Sequence, residues 1–111
     1  MILRAIARPL GRLLLAPKVP LHMQRRIVEL AGVALPGAPK GVAVTQTVLG
    51  GVPAEILTPA QSANRVLLYL HGGGYIVGSP RTHRAIAGRL AAALNAVTYV
   101  LDYRLAPEHR F

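Results

Sequence analysis

Two unbroken apolar runs, Val66–Leu70 and Ala96–Leu101, do most to limit what this chain can fold into. A strand buried on one face alternates apolar with polar residues. A run without polar interruption belongs to a strand covered on both faces, as in a parallel sheet. Between the runs lies a helical rhythm from about Thr82 to Asn95, with Ile86, Leu90, Ala93 and Leu94 on one face and Ser79 or Thr82 placed to cap its start. Parallel neighbours need a long crossover, so strand, helix and strand together predict a βαβ unit of class α/β.

The residues upstream read differently. Val42, Val44 and Val48 fall on one side of a run ending at Leu49, Gly50-Gly51 is a turn signal, and Val52 to Thr58 forms a second run with Pro53 near its start. This predicts an antiparallel hairpin over residues 42–58 at a sheet edge. Pro36, Gly37, Pro39 and Gly41 mark a loop before it. Residues 21–31 carry a helix signal: Pro20 at the start, Met23, Ile27, Leu30 and Ala31 on one face, Gly32 as the stop. Residues 2–15 have a helical pattern with Arg4, Arg8 and Arg12 in one stripe, interrupted by Pro9 and Gly11. The expected organisation is an N-terminal helical segment over 1–40 and an α/β portion over 41–111. The helices read as packed on the body, with a lid or a membrane-surface contact as sharper alternatives.

Composition narrows the function. The chain is 52% hydrophobic, enough for a buried core, and has no cysteine, which excludes disulfides and thiolate metal sites. The net charge is +9, concentrated before residue 29, where Arg4, Arg8, Arg12, Lys18, Arg25 and Arg26 meet no acid. Only 5% of residues are aromatic and no nucleic-acid motif is present, so a nucleic-acid partner is not expected. The simpler reading is that balancing acids lie on a part of the protein outside this sequence. No apolar stretch approaches the ~20 residues of a transmembrane helix. Arg12, Pro17 and Lys18 break up a signal peptide, leaving a cytoplasmic placement with an Arg-rich presequence or a peripheral membrane contact as alternatives. His22 and His83 lack neighbours at ligand spacing and are expected on the surface, with no metal site and no cofactor.

The stretch His71-Gly72-Gly73-Gly74-Tyr75 follows the first apolar strand directly. Ordering each glycine costs about 0.5–1 kcal/mol relative to alanine, so something must require backbone without Cβ. Sites in open α/β sheets form beyond the carboxyl ends of strands. A dinucleotide fingerprint fails because Val77 holds the third glycine position and Gly78 comes one residue late, and no Gly-Lys-Ser/Thr follows. His-Gly-Gly-Gly after a strand fits a loop that offers backbone N–H groups to an oxyanion. Alone, it would also fit a flexible loop without a ligand.

The chain ends Asp102-Tyr103-Arg104-Leu105-Ala106-Pro107-Glu108-His109-Arg110-Phe111. Taken with His71–Ser79, this closely resembles the two N-terminal signatures of the hormone-sensitive-lipase-like family of α/β-hydrolases, from about Arg65 onward. The resemblance implies an incomplete α/β-hydrolase fold: N-terminal helices, an antiparallel hairpin, then a βαβ unit of a mostly parallel sheet. It implies a carboxylic ester hydrolase acting on a small acyl ester through a serine acyl-enzyme, with residues 1–40 contributing to a lid. Gly73 and Gly74 would donate to the oxyanion hole, Gly72 would shape the approach, and His71 would brace the loop. Asp102 and His109 precede any nucleophile, whereas this fold orders its triad Ser, Asp/Glu, His. Both are therefore expected to be structural, with Asp102, Arg104 and Glu108 forming an ion-pair network. No Gly-x-Ser-x-Gly occurs, and Ser62 and Ser79 are the only serines. The nucleophile, acid and general base are expected beyond Phe111, making this an inactive fragment whose strand ending near Asp102 lacks its next neighbour. The alternative is a non-catalytic remnant or a module completed by a partner. The oligomeric state has no signature in the sequence.

Overall fold

A computed structural model describes Pro9, Gly11, Arg12 and residues 16–110. The first three are helical, and the rest of the pattern over 2–15 lies outside the described residues. Helix α1 (Leu21–Ala34) precedes strands β1 (Val42–Leu49), β2 (Val52–Pro59) and β3 (Arg65–Leu70), helix α2 (Pro80–Leu94) and strand β4 (Ala96–Leu101). The four strands form one mixed sheet in the order β1-β2-β4-β3. β1 and β2 are antiparallel, with Leu49 opposite Val52 across the Gly50-Gly51 turn. β3 and β4 are parallel, with Leu70 beside Leu101. β2 joins the halves by running antiparallel to β4, with Ala54 opposite Leu101. This is the hairpin and βαβ unit of a partial α/β-hydrolase fold.

The topology corrects one expectation. β4, which ends just before Asp102, is flanked on both sides, because the crossover returns it between the hairpin and β3. Among the described residues the strands with an unpaired side are β1 and, carrying the apolar run, β3. Its unbroken apolar run also lacks a second cover: Val66, Leu68 and Leu70 are exposed on the face opposite α2. The body is only 17 Å deep along its short axis, room for the sheet and a single helical layer.

α2 covers the sheet over a core of Leu57, Val100, Ala87 and Ala91, all fully buried. The face it uses is not the expected one. Ile86, Leu90 and Leu94 point outward, while Pro80, Ala87, Gly88 and Ala91 are buried. Small residues let the helix sink close to its neighbours: a Cβ on Gly88 would lie 2.7 Å from Pro39 Cδ and 3.3 Å from Ala38 Cβ in the preceding loop. Thr82 accepts the Ser79 N–H at 3.0 Å, closing the first turn, and Asn95 ends the helix in the left-handed region at φ +48°.

α1 packs on α2 and shows the same reversal. Gly32 is not its stop, since the helix continues to Ala34. Gly32 is instead where the helices approach, with a Cβ there only 3.0 Å from Thr82 Cγ2. Met23, Leu30 and Ala31 of the expected face are exposed and only Ile27 is half-buried, while Arg25, Val28 and Gly32, spaced three and four apart, are among the other half-buried positions. On the sheet, buried Glu55 of β2 is held by Arg84 of α2, whose Nε donates at 3.0 Å and whose Nη2 makes a second, shorter contact. Arg84 is itself partly exposed, so the asymmetry matters: removing Arg84 would leave the buried Glu55 charge without its ion-pair partner, whereas removing Glu55 would leave a guanidinium that water can reach.

Candidate active site

β3 delivers the chain straight into the bend His71–Ser79. Backbone φ is positive at Gly73 (+135°), Gly74 (+62°), Tyr75 (+64°) and Gly78 (+96°). Two of these glycines are also required by contact. A Cβ on Gly73 would lie 1.9 Å from the Val77 carbonyl oxygen, and one on Gly78 would lie 2.6 Å from the Gly72 oxygen. Gly72 is under no such demand, since its Cβ would meet nothing nearer than His83 Nε2 at 3.5 Å. Sequence reasoning used Gly78 to reject a nucleotide motif and counted it within the His71–Ser79 signature; a Cβ there would also lie 2.9 Å from His71 Nδ1, so the bend closes back on His71 at this glycine.

The Gly73 carbonyl accepts N–H bonds from Ile76 and Val77, each at 3.2 Å. The Gly72 N–H turns into the protein and donates to His83 Nε2 at 3.3 Å, so Gly72 is no donor to a ligand as the bend stands. The N–H groups of Gly73 and Gly74 meet no acceptor among the described residues. Gly74 and Tyr75 open onto a concave space of about 1100 Å³, walled by Tyr103, Ala106 and the Gly51–Pro53 turn.

Two histidines underlie the bend. His71 is buried, with Nδ1 3.0 Å from the Gly72 oxygen. Its ring stacks on Tyr103 with centroids 4.2 Å apart and planes 10° from parallel, and the Tyr103 hydroxyl donates to the His71 carbonyl. His83 is not the surface residue expected. Its Nδ1 lies 2.9 Å from Thr82 Oγ1, and that hydroxyl donates to the Ser79 carbonyl at 2.8 Å. Nδ1 must therefore carry the proton, leaving Nε2 as the acceptor for Gly72. Burial, then the neighbouring His71, lower the His83 pKa and favour this neutral form.

The second signature forms the adjoining wall. Asp102 donates its backbone N–H to the Pro53 oxygen at 2.8 Å, and Ala106 N–H reaches the Tyr75 oxygen at 2.8 Å, joining the two loops. The network expected among Asp102, Arg104 and Glu108 does not form. Glu108 reaches instead to Arg25 of α1, at 2.7 and 2.8 Å, and no ion pair of Asp102 or Arg104 occurs among the described residues. The Arg25 guanidinium holds the Glu108 carboxyl down to about 2. Sequence reasoning missed Arg25, because a helix arginine in a basic segment gives no sign of a partner 83 residues away. His109 sits exposed on the rim. Of the two serines, Ser62 is exposed on the loop after β2, and Ser79 Oγ is buried at the start of α2. Among the described residues no group of three or more His, Asp or Glu converges as a metal site, and no helix is long and apolar enough to cross a membrane.

The α/β hydrolase fold family matches residues 67–111, which span the bend, α2, β4 and the second loop. An acetyl-hydrolase of Streptomyces hygroscopicus is 44% identical over 75 residues, covering 68% of this chain and 24% of that protein. The esterase LipI of Mycobacterium tuberculosis is 34% identical over 95 residues, covering 86% of this chain and 27% of that protein. The chain thus spans about a quarter of the length of these relatives. Among solved structures, a hormone-sensitive lipase from a metagenome library superposes with a TM-score of 0.80 at 40% identity, covering 94% of this chain and 37% of that one. An esterase of the bacterial hormone-sensitive lipase family does so with a TM-score of 0.77 at 37% identity, covering 87% and 33%. Strand order, glycine bend and these likenesses together define an α/β-hydrolase. Within that class, the chain belongs to the hormone-sensitive-lipase-like family.

Proposed function

We propose that the protein containing this chain is a carboxylic ester hydrolase, and that Gly73 and Gly74 supply backbone donors of its oxyanion hole. One observation carries the reading: just past the carboxyl end of a sheet strand, the successive N–H groups of Gly73 and Gly74 lack an acceptor among the described residues, and Gly74 lines a concave space. Oriented amides favour a negative oxygen over a neutral carbonyl, so they stabilise the tetrahedral transition state more than the ester. His71 braces the bend from below, while His83 holds Gly72 away from the ligand side. Family likeness supplies the remaining steps. A serine outside the described residues attacks the acyl carbon and the alcohol leaves with a proton. Water then cleaves the acyl-enzyme to the acid and regenerates the hydroxyl. Neither Ser62 nor Ser79 is set for that role, so the nucleophile is assigned to another part of the protein. Residues 1–40 are read as part of a lid, α1 lying against both site loops through Arg25.

The test uses the complete reading frame and short-chain aryl esters. Wild-type protein is expected to hydrolyse them and to be labelled by a fluorophosphonate. Gly74→Ala meets nothing nearer than Ile76 Cγ1 at 4.0 Å, but at φ +62° its methyl group strains the backbone, so the peptide plane that aims the Gly74 N–H must turn. Its kcat/KM is expected to fall by roughly 10²–10³, the range for a lost oxyanion donor. Absence of both hydrolysis and labelling in the wild type would reject the reading.

A further inference from the structure

Arg25 spends its donors on the two loops that form the site. Nε donates to the Ile76 carbonyl at 2.8 Å, Nη2 to the Ala106 carbonyl at 2.8 Å, and Nη1 and Nη2 grip Glu108. The Ile76 carbonyl belongs to the same planar peptide unit as the Val77 N–H, and in a trans peptide the two groups point opposite ways. That Val77 N–H donates to the Gly73 carbonyl. The Gly73 carbonyl in turn shares its peptide unit with the Gly74 N–H, which has no acceptor among the described residues. The guanidinium therefore stands at the head of a row: Arg25 to peptide 76–77, to peptide 73–74, to the open side of the bend.

We infer that Arg25 is a positioning residue of the oxyanion hole, orienting and polarising the Gly74 N–H through the two peptide units between them. This inference rests on the ester-hydrolase reading and adds the part of the N-terminal segment that acts on the site. Each hydrogen bond in such a row strengthens the next, because a carbonyl that accepts a charged donor makes its own peptide N–H a better donor. Glu108 keeps the guanidinium aimed, and its carboxyl, held down to about 2, stays ionised throughout the range in which such a protein is assayed. Arginine suits the place because its planar fork reaches a carbonyl on each loop and a carboxylate together; a lysine ammonium offers one compact point of charge.

The experiment uses the complete protein labelled with ¹⁵N-glycine. Arg25→Ala is expected to move the Gly74 amide proton upfield while the Gly41 amide, at the end of β1 away from the site, stays in place. In the same variant, kcat on a short aryl ester and affinity for a trifluoromethyl ketone should each fall by about tenfold, a weakened rather than a lost donor, with KM within about twofold. Added guanidinium should restore part of kcat. Arg25→Lys should shift Gly74 in the same direction by less, and it decides the matter if Arg25→Ala does not fold. An unmoved Gly74 resonance, or a rise in KM with kcat and ketone affinity intact, would overturn the inference. A wild type that hydrolyses no ester would sink the enzymatic reading alone, because the Gly74 shift would still report whether the row exists.

Discussion

The chain contains two glycine bends that look alike in sequence and differ in what they demand. Gly50 and Gly51 take φ of +57° and +82° between β1 and β2, and a Cβ on either would meet nothing within 4 Å. In the bend after β3, Gly73 and Gly78 take positive φ as well, but a Cβ there would strike backbone atoms of Val77 and Gly72. The hairpin uses glycine for its dihedral freedom alone. The second bend uses it so that backbone can pack against backbone, which fixes where the neighbouring N–H groups point. Glycines required only by dihedral can be exchanged for residues that tolerate the left-handed region. Those required by contact cannot.

Substitutions can break this contrast or sharpen it. The largest effect is expected for Gly73→Ala: relieving a 1.9 Å clash with a carbonyl requires the bend to move, at a cost of about 3 kcal/mol or more in stability and at least about 10² in ester turnover. Melting curves and aryl-ester rates of the complete protein check both. Gly78→Ala, with its 2.6 Å contact, should follow at about 2–3 kcal/mol. A smaller effect concerns pH. The His83 pKa is lowered in the folded state, so the stability it contributes is present above the unfolded value of 6.5 and is lost as pH falls through the folded one. Denaturant titrations across that window should show this loss, and His83→Gln should reduce its slope. Gly72→Ala should cost no more than about 0.5 kcal/mol, because its Cβ makes an ordinary contact, and a cost equal to that of Gly73 would erase the distinction. Gly50→Asn should be smallest, within about 0.5 kcal/mol by the same melts, since asparagine suits the first position of such a turn.

What the sequence disclosed follows the same division between local and distant requirements. Hairpin, crossover helix and parallel strands were legible because chain periodicity and turn chemistry are local. Helix faces were misread in both helices. The reading followed the largest apolar side chains, Leu30 and Leu90 among them, whereas the closest approaches are made at Gly32, Ala87, Gly88 and Ala91. Hydropathy reports what avoids water and says little about what fits between two backbones. At the site, the bend was visible in its glycines, but their division of labour was not, because it depends on which way each peptide plane faces. Glu108 was assigned partners nearby in sequence, and its partner lies across the fold on α1.

β3 has a further practical consequence. Its outer row of amides and carbonyls has no partner among the described residues, and Val66, Leu68 and Leu70 stand bare on one face. Such a strand is a template onto which any other extended chain can zip. A recombinant polypeptide limited to residues 16–110 would be drawn into inclusion bodies, and a lysine at Leu68 would be the first change to make in recovering it from the supernatant.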